Sequence, residues 1–404
     1  MSDSPASDLR GAAPDRVRAA LRDADPLPGG GGFAGLLADP PDRGGPVLVR
    51  DVLGRQPLFV EREALDPESD RRPTDAGAWS FDRADLDDPE PVPAGSVASA
   101  AGTERVWRLP GGDPTADRDA ALAAVDDAVS AALDDLDPVR SANGAERGGD
   151  LPVAFSGGVD SGLVAAAVPE APCYVAGFEG SHDVAAARDA AAAMERDLRV
   201  VEVTHDDLTR AVRAVAAATG RRNSMDVAIA VPLFLTAEAA AADGFDRLAV
   251  GQGADELFGG YSKVVDPAED PRVEADTVRG ARTETVRTLP NQLERDVLAL
   301  RAAGVEPATP LLDDRVVAAA LALPGDLLVN GEERKVALRR VAAERVPVSV
   351  HAADKKAVQY GTYVSRELDR LARQAGFKRR LDDHVGKYVE SLCAEEKPAG
   401  EGRN

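Results

Sequence analysis

Cysteine is nearly missing: Cys173 and Cys393 are the two in 404 residues, too few and too far apart for a disulfide framework or a cysteine-rich metal site. The four histidines show no HExxH or other paired spacing, which removes the common zinc signatures. Aromatic residues make up 4% of the chain, and no basic, aromatic-rich segment of the kind that holds nucleic acid stands out. No stretch approaches 18 consecutive apolar residues, and Met1 to Arg10 lacks the basic start and apolar core of a signal peptide. No membrane partner and a cytoplasmic location are therefore expected. Lysine is the last scarce residue, with 7 against 41 arginines.

Acid is in excess. Against 48 basic residues stand 70 acidic ones, a net charge of −22 that repels nucleic acid and anionic membrane. This acidic, alanine-rich, lysine-poor balance resembles that of proteins from salt-accumulating (halophilic) microbes, where concentrated salt screens self-repulsion. At 44% hydrophobic the chain reads as globular, and its length predicts two or three units.

Residues 1–30, rich in Asp, Ala, Pro and Gly, are expected to be a flexible lead-in. Over 31–112, short apolar runs alternate with Pro/Gly/Asp turns, which predicts a small β-rich unit. The main unit spans 113–390. Its first helix is marked by Leu122, Val125, Val129, Leu133 and Leu136, which share one helical face. Strands are then predicted at Leu151 to Phe155, Cys173 to Phe178, Arg199 to Val203 and Arg247 to Val250. Helices over Asp183 to Glu195, Leu208 to Ala218 and Val227 to Ala241 separate them, and this alternation predicts an α/β fold, a parallel sheet covered by helices. Beyond residue 285 the pattern is mostly helical, and 391–404 reads as a disordered acidic tail.

The strongest chemical signal follows the first of these strands, where Phe155-Ser156-Gly157-Gly158-Val159-Asp160-Ser161 leads into a helix. Gly157 and Gly158 let backbone N–H groups approach phosphate oxygens, Ser156 and Ser161 add hydroxyl donors, and the helix N-terminus favours an anion. Asp160 would repel phosphate and so implies a cation, with Mg²⁺ the natural choice. Another strand-end loop carries Gly251-Gln252-Gly253-Ala254-Asp255-Glu256 and runs on through Phe258-Gly259-Gly260-Tyr261. Both loops would meet at the carboxyl edge of a parallel sheet, where Asp160 and Asp255 could share the Mg²⁺.

The Ser156 to Ser161 loop resembles the SGGxDS pyrophosphate loop (PP-loop) of the N-type ATP pyrophosphatases, the adenine nucleotide alpha hydrolase-like fold. The Gly251 to Tyr261 segment is similar to the GxGxDExFGGY signature of the asparagine synthetase and β-lactam synthetase group within them. The resemblance implies an ATP- and Mg²⁺-dependent ligase that adenylates a carboxylate, releases pyrophosphate and passes an amine to the acyl group. ATP and pyrophosphate would be held by Phe155, Ser156, Gly157, Gly158, Asp160, Ser161, Ala176, Gly177, Gly251 and Gly253.

Weaker similarity extends over residues 45–365. Gly304 to Asp313 resembles the family's GVExRxPFLD segment, and Pro232 matches a proline on the helix beside the acyl pocket. The two active-site lysines of the family fall at Lys335, on the ATP phosphates, and Lys356, which would stabilise the charged transition state, with Lys355 as the register alternative. Composition speaks for these lysines independently. Lysine fills about one basic position in seven, yet three of the seven lysines sit in these two short segments, so the positions select a compact ammonium over a guanidinium.

Three departures shape the expectation. Position 2 is Ser2, whereas the family's glutaminase uses a cysteine there; Val49 to Leu58 resembles that glutaminase's RDPLGRKPLYY segment, so 31–112 reads as a truncated remnant. In-chain glutamine hydrolysis is not expected, and ammonia, free or from a separate glutaminase, becomes the amine. Gln252 replaces the glutamate of asparagine synthetases and the tyrosine of β-lactam synthetases at the third site position counted as catalytic beside Lys335 and Lys356. The segment Ser224 to Pro232 lacks the Thr and Arg that grip aspartate, with Asp226 or Arg222 as candidate replacements. The lead expectation is an asparagine synthetase-like enzyme acting on a small carboxylic acid, able to form oligomers. The alternatives are another acid, a tRNA base as acceptor, or an ATP-binding regulatory relic.

Overall fold

Residues 6–136, 151–353, 358–380 and 382–394 are described by a computed structural model. The stretch expected to be a lead-in forms elements from residue 8. Strand β1 (Asp8–Arg10) pairs with β2 (Ala34–Leu37), and helix α1 (Pro14–Asp23) lies between them. Pro14 opens the helix, where its missing N–H costs nothing, and Val17, Ala20 and Leu21 bury one face. The indole of Trp107 caps that core by donating to the Ala20 carbonyl at 3.2 Å. A run of Ala, Asp and Arg hides this helix from a reading by composition, because three apolar contacts in ten residues are enough to anchor it.

The N-terminal sheet runs β1-β2-β3-β7-β8, antiparallel throughout, with β3 (Val47–Arg50), β7 (Ser96–Ser99) and β8 (Gly102–Arg105). Beside it lies a three-stranded sheet in which β4 (Phe59–Glu61) sits between β5 (Trp79–Ser80) and β6 (Pro89–Pro91). Helix α2 (Arg118–Asp134), capped by Asp117, then leads to the main unit with Val125, Val129 and Leu133 buried as the spacing predicts.

There the sheet is parallel, in the order β11-β10-β9-β12-β13. Strands β9 (Val153–Ala154), β10 (Cys173–Gly177), β11 (Leu198–Glu202) and β12 (Arg247–Ala249) fall on the four predicted strands. The fifth, β13 (Glu306–Ala308), lies where a mostly helical pattern is expected; it accommodates Pro307 at one edge of the sheet, where a missing donor costs little. The helices are α3 (Val159–Ala167), α4 (His182–Ala193), α5 (His205–Thr219), α6 (Ser224–Ala242), the short α7 (Ala254–Phe258), α8 (Val278–Val286), α9 (Leu289–Ala302), α10 (Asp314–Leu321), α11 (Gly325–Leu328) and α12 (Val336–Ala342). A hairpin of β14 (Val329–Asn330) and β15 (Glu333–Arg334) precedes α12, and α13 (Val348–His351), α14 (Val358–Gly361), α15 (Val364–Gln374) and α16 (His384–Ala394) close the chain. Thus residues 391–394 of the expected tail are helical.

Alternation along β10 assigns the faces. Cys173 and Val175 join one core with α2, α3 and α12, while Tyr174 and Ala176 join the other with α5, α6 and α9. Helix α6 is long and apolar enough to cross a membrane by composition, yet it packs against α5, α9 and β10 with ten residues buried. Chain order leaves β9 toward β10 on one side and toward β12 on the other, so the sheet has a switch point between β9 and β12. Such a point opens a crevice at the strands' carboxyl ends.

Candidate active site

The β9–α3 turn is built around Gly157. Its φ of +76° is left-handed, and a Cβ there would stand 2.6 Å from the Ala186 carbonyl oxygen of α4. Glycine alone satisfies both demands. Ser161 Oγ ties the loop together: it donates to the Gly158 carbonyl at 3.3 Å and accepts from the Ser156 amide at 3.2 Å, with Ser156 Oγ 3.1 Å away. Gly158, the residue before α3, brings no side-chain cap to the helix N-terminus, and the first turn of α3, Val159 to Ser161, lines the crevice.

The β12–α7 turn meets this loop edge on. A Cβ at Gly251 would lie 3.0 Å from Asp160 Cβ and 3.2 Å from the Ser161 amide, so the two loops touch through the space a side chain would fill. Gly253 takes φ +88° and turns the chain into α7, carrying Asp255 toward Asp160. Between the two carboxylates stands Lys335, its Nζ 2.6 Å from Asp160 Oδ2 and 2.8 Å from Asp255 Oδ1. Lys335 holds φ +58° at the junction of β15 and α12, a left-handed conformation that costs a non-glycine residue about 1 to 3 kcal/mol and clusters at functional sites. Burial alone would lower its pKa, but Asp160 and Asp255 raise it above the ordinary value, so the ammonium stays charged. Gly260 makes room, since a Cβ there would collide with the Asp255 carboxylate and the Lys335 side chain.

A cavity of about 540 Å³ spreads from these loops, within the usual size of a small-molecule site. Of the sequence-predicted residues, Phe155, Ser156, Gly158, Asp160, Ser161, Ala176, Gly251, Gln252, Gly253, Asp255 and Lys335 line it, as does Pro232. Gly157 shapes the loop from behind, and Gly177 passes under the Ser181 side chain at the start of α4. Lys355 and Lys356 lie outside the described residues. The candidate replacements for the acid grip take other roles: Arg222 is exposed and away from the lining, while Asp226 sits behind the wall, paired with Arg221 at 3.2 Å and Arg295 at 2.8 Å.

Residues not foreseen from the sequence complete the wall. From α9 come Leu289, Gln292, Leu293 and the adjacent Arg295 and Asp296; from α6 come Ile229, Leu233 and Thr236. Arg295 Nε donates to Asp296 Oδ1 at 2.8 Å. The signal available in the sequence was a charged pair, Arg295-Asp296, inside the apolar stripe of a helix. Asp183, buried at the start of α4, also lines the cavity.

Glu256 is buried as well and accepts from Tyr261 Oη at 2.6 Å. Burial, then the nearby Asp255, pushes its pKa up to about 7. Between pH 4.5 and 7 the folded state therefore holds a proton that the unfolded state has lost, so stability falls as pH rises through that window. The full cost is about 3 kcal/mol above pH 7. Replacing Glu256 with Gln, which keeps an acceptor for Tyr261, is expected to remove this slope. Melts of both proteins at about pH 5 and pH 8, either side of the window, should show the variant gaining relative to the parent only at the higher pH; an equal difference at both would refute the assignment.

Asp160 and Asp255 converge on one ammonium, so both can reach a common cation. Two carboxylates suit Mg²⁺, which takes further ligands from phosphate and water. Among the described residues no cluster of three or more His, Cys, Asp or Glu could hold a metal unaided.

The sequence model of the asparagine synthase family matches residues 148–287 and 269–391, the part of the chain that builds this cavity. A protein of Methanocaldococcus jannaschii described as "Putative asparagine synthetase (glutamine-hydrolyzing) 1" is 28% identical over 276 residues, 59% of this chain and 51% of that protein. Asparagine synthetase B (glutamine-hydrolyzing) of Escherichia coli is 26% identical over 227 residues, 50% of this chain and 40% of its own length. The chain thus spans about half the length of these relatives or less. With both glycine loops, their aspartates and Lys335 assembled at the sheet's switch point and the family match covering more than half its length, the chain belongs to the asparagine synthase family.

Proposed function

We propose that the protein is a cytoplasmic ligase that adenylates a carboxylic acid with ATP and transfers ammonia to it, giving an amide, AMP and pyrophosphate. The observation that carries this reading is the meeting of Asp160, Asp255 and Lys335 beside an uncapped helix N-terminus. A carboxylate oxygen attacks the α-phosphorus and the bond to the β-phosphate breaks, its electrons leaving with pyrophosphate. The loop from Ser156 to Ser161 and Lys335 hold that leaving group. Mg²⁺, held by Asp160 and Asp255, would supply charge neutralisation for the phosphates. Ammonia then displaces AMP from the acyl carbon. Gln252, a neutral amide, cannot take the amine's proton; Glu256 lines the same cavity with a pKa of about 7 suited to it.

Aspartate is the family's name-giving acid, but one observation favours a different one. Arg295, the cation that α6 and α9 present to the cavity, is already balanced by Asp226 and Asp296, and much of the remaining wall is apolar. A second carboxylate would find its cation spoken for.

The deciding assay is release of AMP and pyrophosphate in concentrated salt with ammonium, comparing L-aspartate with acids that carry one carboxylate. Asp160→Ala and Asp255→Ala are each expected to reduce release by roughly a hundredfold or more. Release with aspartate alone, with asparagine formed, identifies an ammonia-dependent asparagine synthetase. Release with another acid alone means the wall has redirected the same chemistry. ATP binding without acid-dependent pyrophosphate release would sink the ligase reading.

A further inference from the structure

The N-terminal unit has no chemistry assigned to it, yet it reaches the cavity through an unbroken line of alternating charge. Arg50, on β3, is buried and fixed by three carbonyls: Nε donates to Gln56 at 3.0 Å, Nη1 to Val92 at 2.8 Å and Nη2 to Gly54 at 3.2 Å. Its Nη2 also stands 3.5 Å from Glu294 Oε2 on α9. The other oxygen of Glu294 lies 3.5 Å from Arg221 Nη2, whose Nη1 is 3.2 Å from Asp226 Oδ2. Asp226 Oδ1 accepts from Arg295 Nη1 at 2.8 Å, and Arg295 pairs with Asp296. Three cations and three carboxylates alternate from β3 to the cavity wall.

Packing runs the same way. Leu298 of α9 is buried against Phe59 and Leu86 of the N-terminal unit, whereas Leu289, Gln292, Leu293, Arg295 and Asp296 of the same helix line the cavity. Near its end, Arg301 donates to the Gln56 side chain at 2.7 Å. Helix α9 is thus a wall shared by the two units. Burial lowers the Arg50 pKa and Glu294 opposes that most, while Asp226, which burial would raise, is held below the ordinary carboxylate range by Asn223, Arg295 and Arg221. Each charge depends on its neighbours, because a buried ion that loses one partner is left uncompensated.

We infer that Arg50 is a positioning residue for the acyl wall of the cavity, acting through Glu294, Arg221 and Asp226 to fix Arg295 and Asp296. The N-terminal unit is then a structural half of the acid-binding site. This rests on the reading of the α6–α9 wall as the acyl side, so the test includes a measurement that needs no substrate.

Hydrogen exchange is measured on the full chain for Arg50→Gln, Arg50→Lys and the isosteric Glu294→Gln. In Arg50→Gln, segments 221–236 and 289–302 are expected to exchange roughly threefold faster or more, with the 155–161 loop unchanged and most of the protection restored in Arg50→Lys. Glu294→Gln, a substitution in α9 that leaves Arg50 and its three carbonyl partners in place, gives the same pattern, which keeps the test valid if Arg50→Gln fails to fold. In pyrophosphate release with ATP, ammonium and whichever acid the parent protein uses, L-aspartate or one with a single carboxylate, the KM for the acid rises by roughly fivefold or more while that for ATP stays within about twofold. Unchanged exchange at 221–236 and 289–302, faster exchange confined to 34–60, or equal rises in both KM values would overturn the inference. A parent protein that releases no pyrophosphate with any of these acids would count against the ligase reading alone, since the exchange pattern still decides this one.

Discussion

Lys335→Met is expected to lower AMP and pyrophosphate formation by roughly a thousandfold, the scale of losing a preorganised charge at a developing anion. The side chain's position argues for this size. Its Nζ is within hydrogen-bond distance of both loop aspartates, and only a tenth of the side chain is exposed. Methionine keeps the volume and removes the charge, leaving Asp160 and Asp255 facing each other. Breaking a buried pair costs about 3 to 5 kcal/mol, but Asp255 is half exposed and water screens its share. Stability should therefore fall by less, and the protein should still fold. Lys335→Arg is the sharper comparison. The guanidinium is broader than an ammonium, and the space beside Lys335 exists because residue 260 is glycine. A loss of roughly a hundredfold or more is expected there too. Activity within about tenfold of the parent in both variants would make Lys335 a strut between the loops and nothing more.

The family resemblance placed this lysine, and scarcity supported it independently. In a chain where arginine carries nearly all positive charge, a lysine kept at a motif signals a demand for compact charge, and the structure supplies the demand in the narrow gap between two carboxylates. The two loops were legible for a similar reason: strand, glycine turn and acid lie consecutively in sequence, so local reading reaches them. Strands β9, β10, β11 and β12 were readable because their apolar runs are bounded by turns. What was missed depends on distance. Strand β13 carries a proline that only an edge position tolerates, and edge position is a property of the sheet. Helix α1 reads as a linker until Trp107, far along the chain, covers it. Arg295 and Asp226 are 69 positions apart and meet only when α6 packs on α9; no periodicity announces such a pair.

The turn at Gly157 gives the other large effect, and here strain and function can be separated. Alanine at this position must adopt a left-handed φ, a cost of about 1 to 3 kcal/mol, and must push its Cβ against the Ala186 carbonyl, whose oxygen stands at 2.6 Å and carbon at 2.8 Å, with Ala187 N at 3.0 Å. That obstacle is backbone inside α4, which cannot swing aside as a flexible side chain would. The loop has to move, and Ser156, Gly158 and the first turn of α3 move with it. Gly157→Ala is accordingly expected to lose roughly a hundredfold or more in pyrophosphate release and to lower stability by about 2 to 5 kcal/mol, strain and overpacking together. Gly376→Ala isolates the strain alone: its φ is +93° with nothing within 4 Å of the added Cβ, and it lies outside the cavity lining, so it should cost about 1 to 3 kcal/mol with activity intact. Matched denaturant melts and pyrophosphate assays on the two variants decide the point. If Gly157→Ala lost no more activity than Gly376→Ala, the β9–α3 turn would be a tight corner of the fold and the phosphates would have to bind elsewhere.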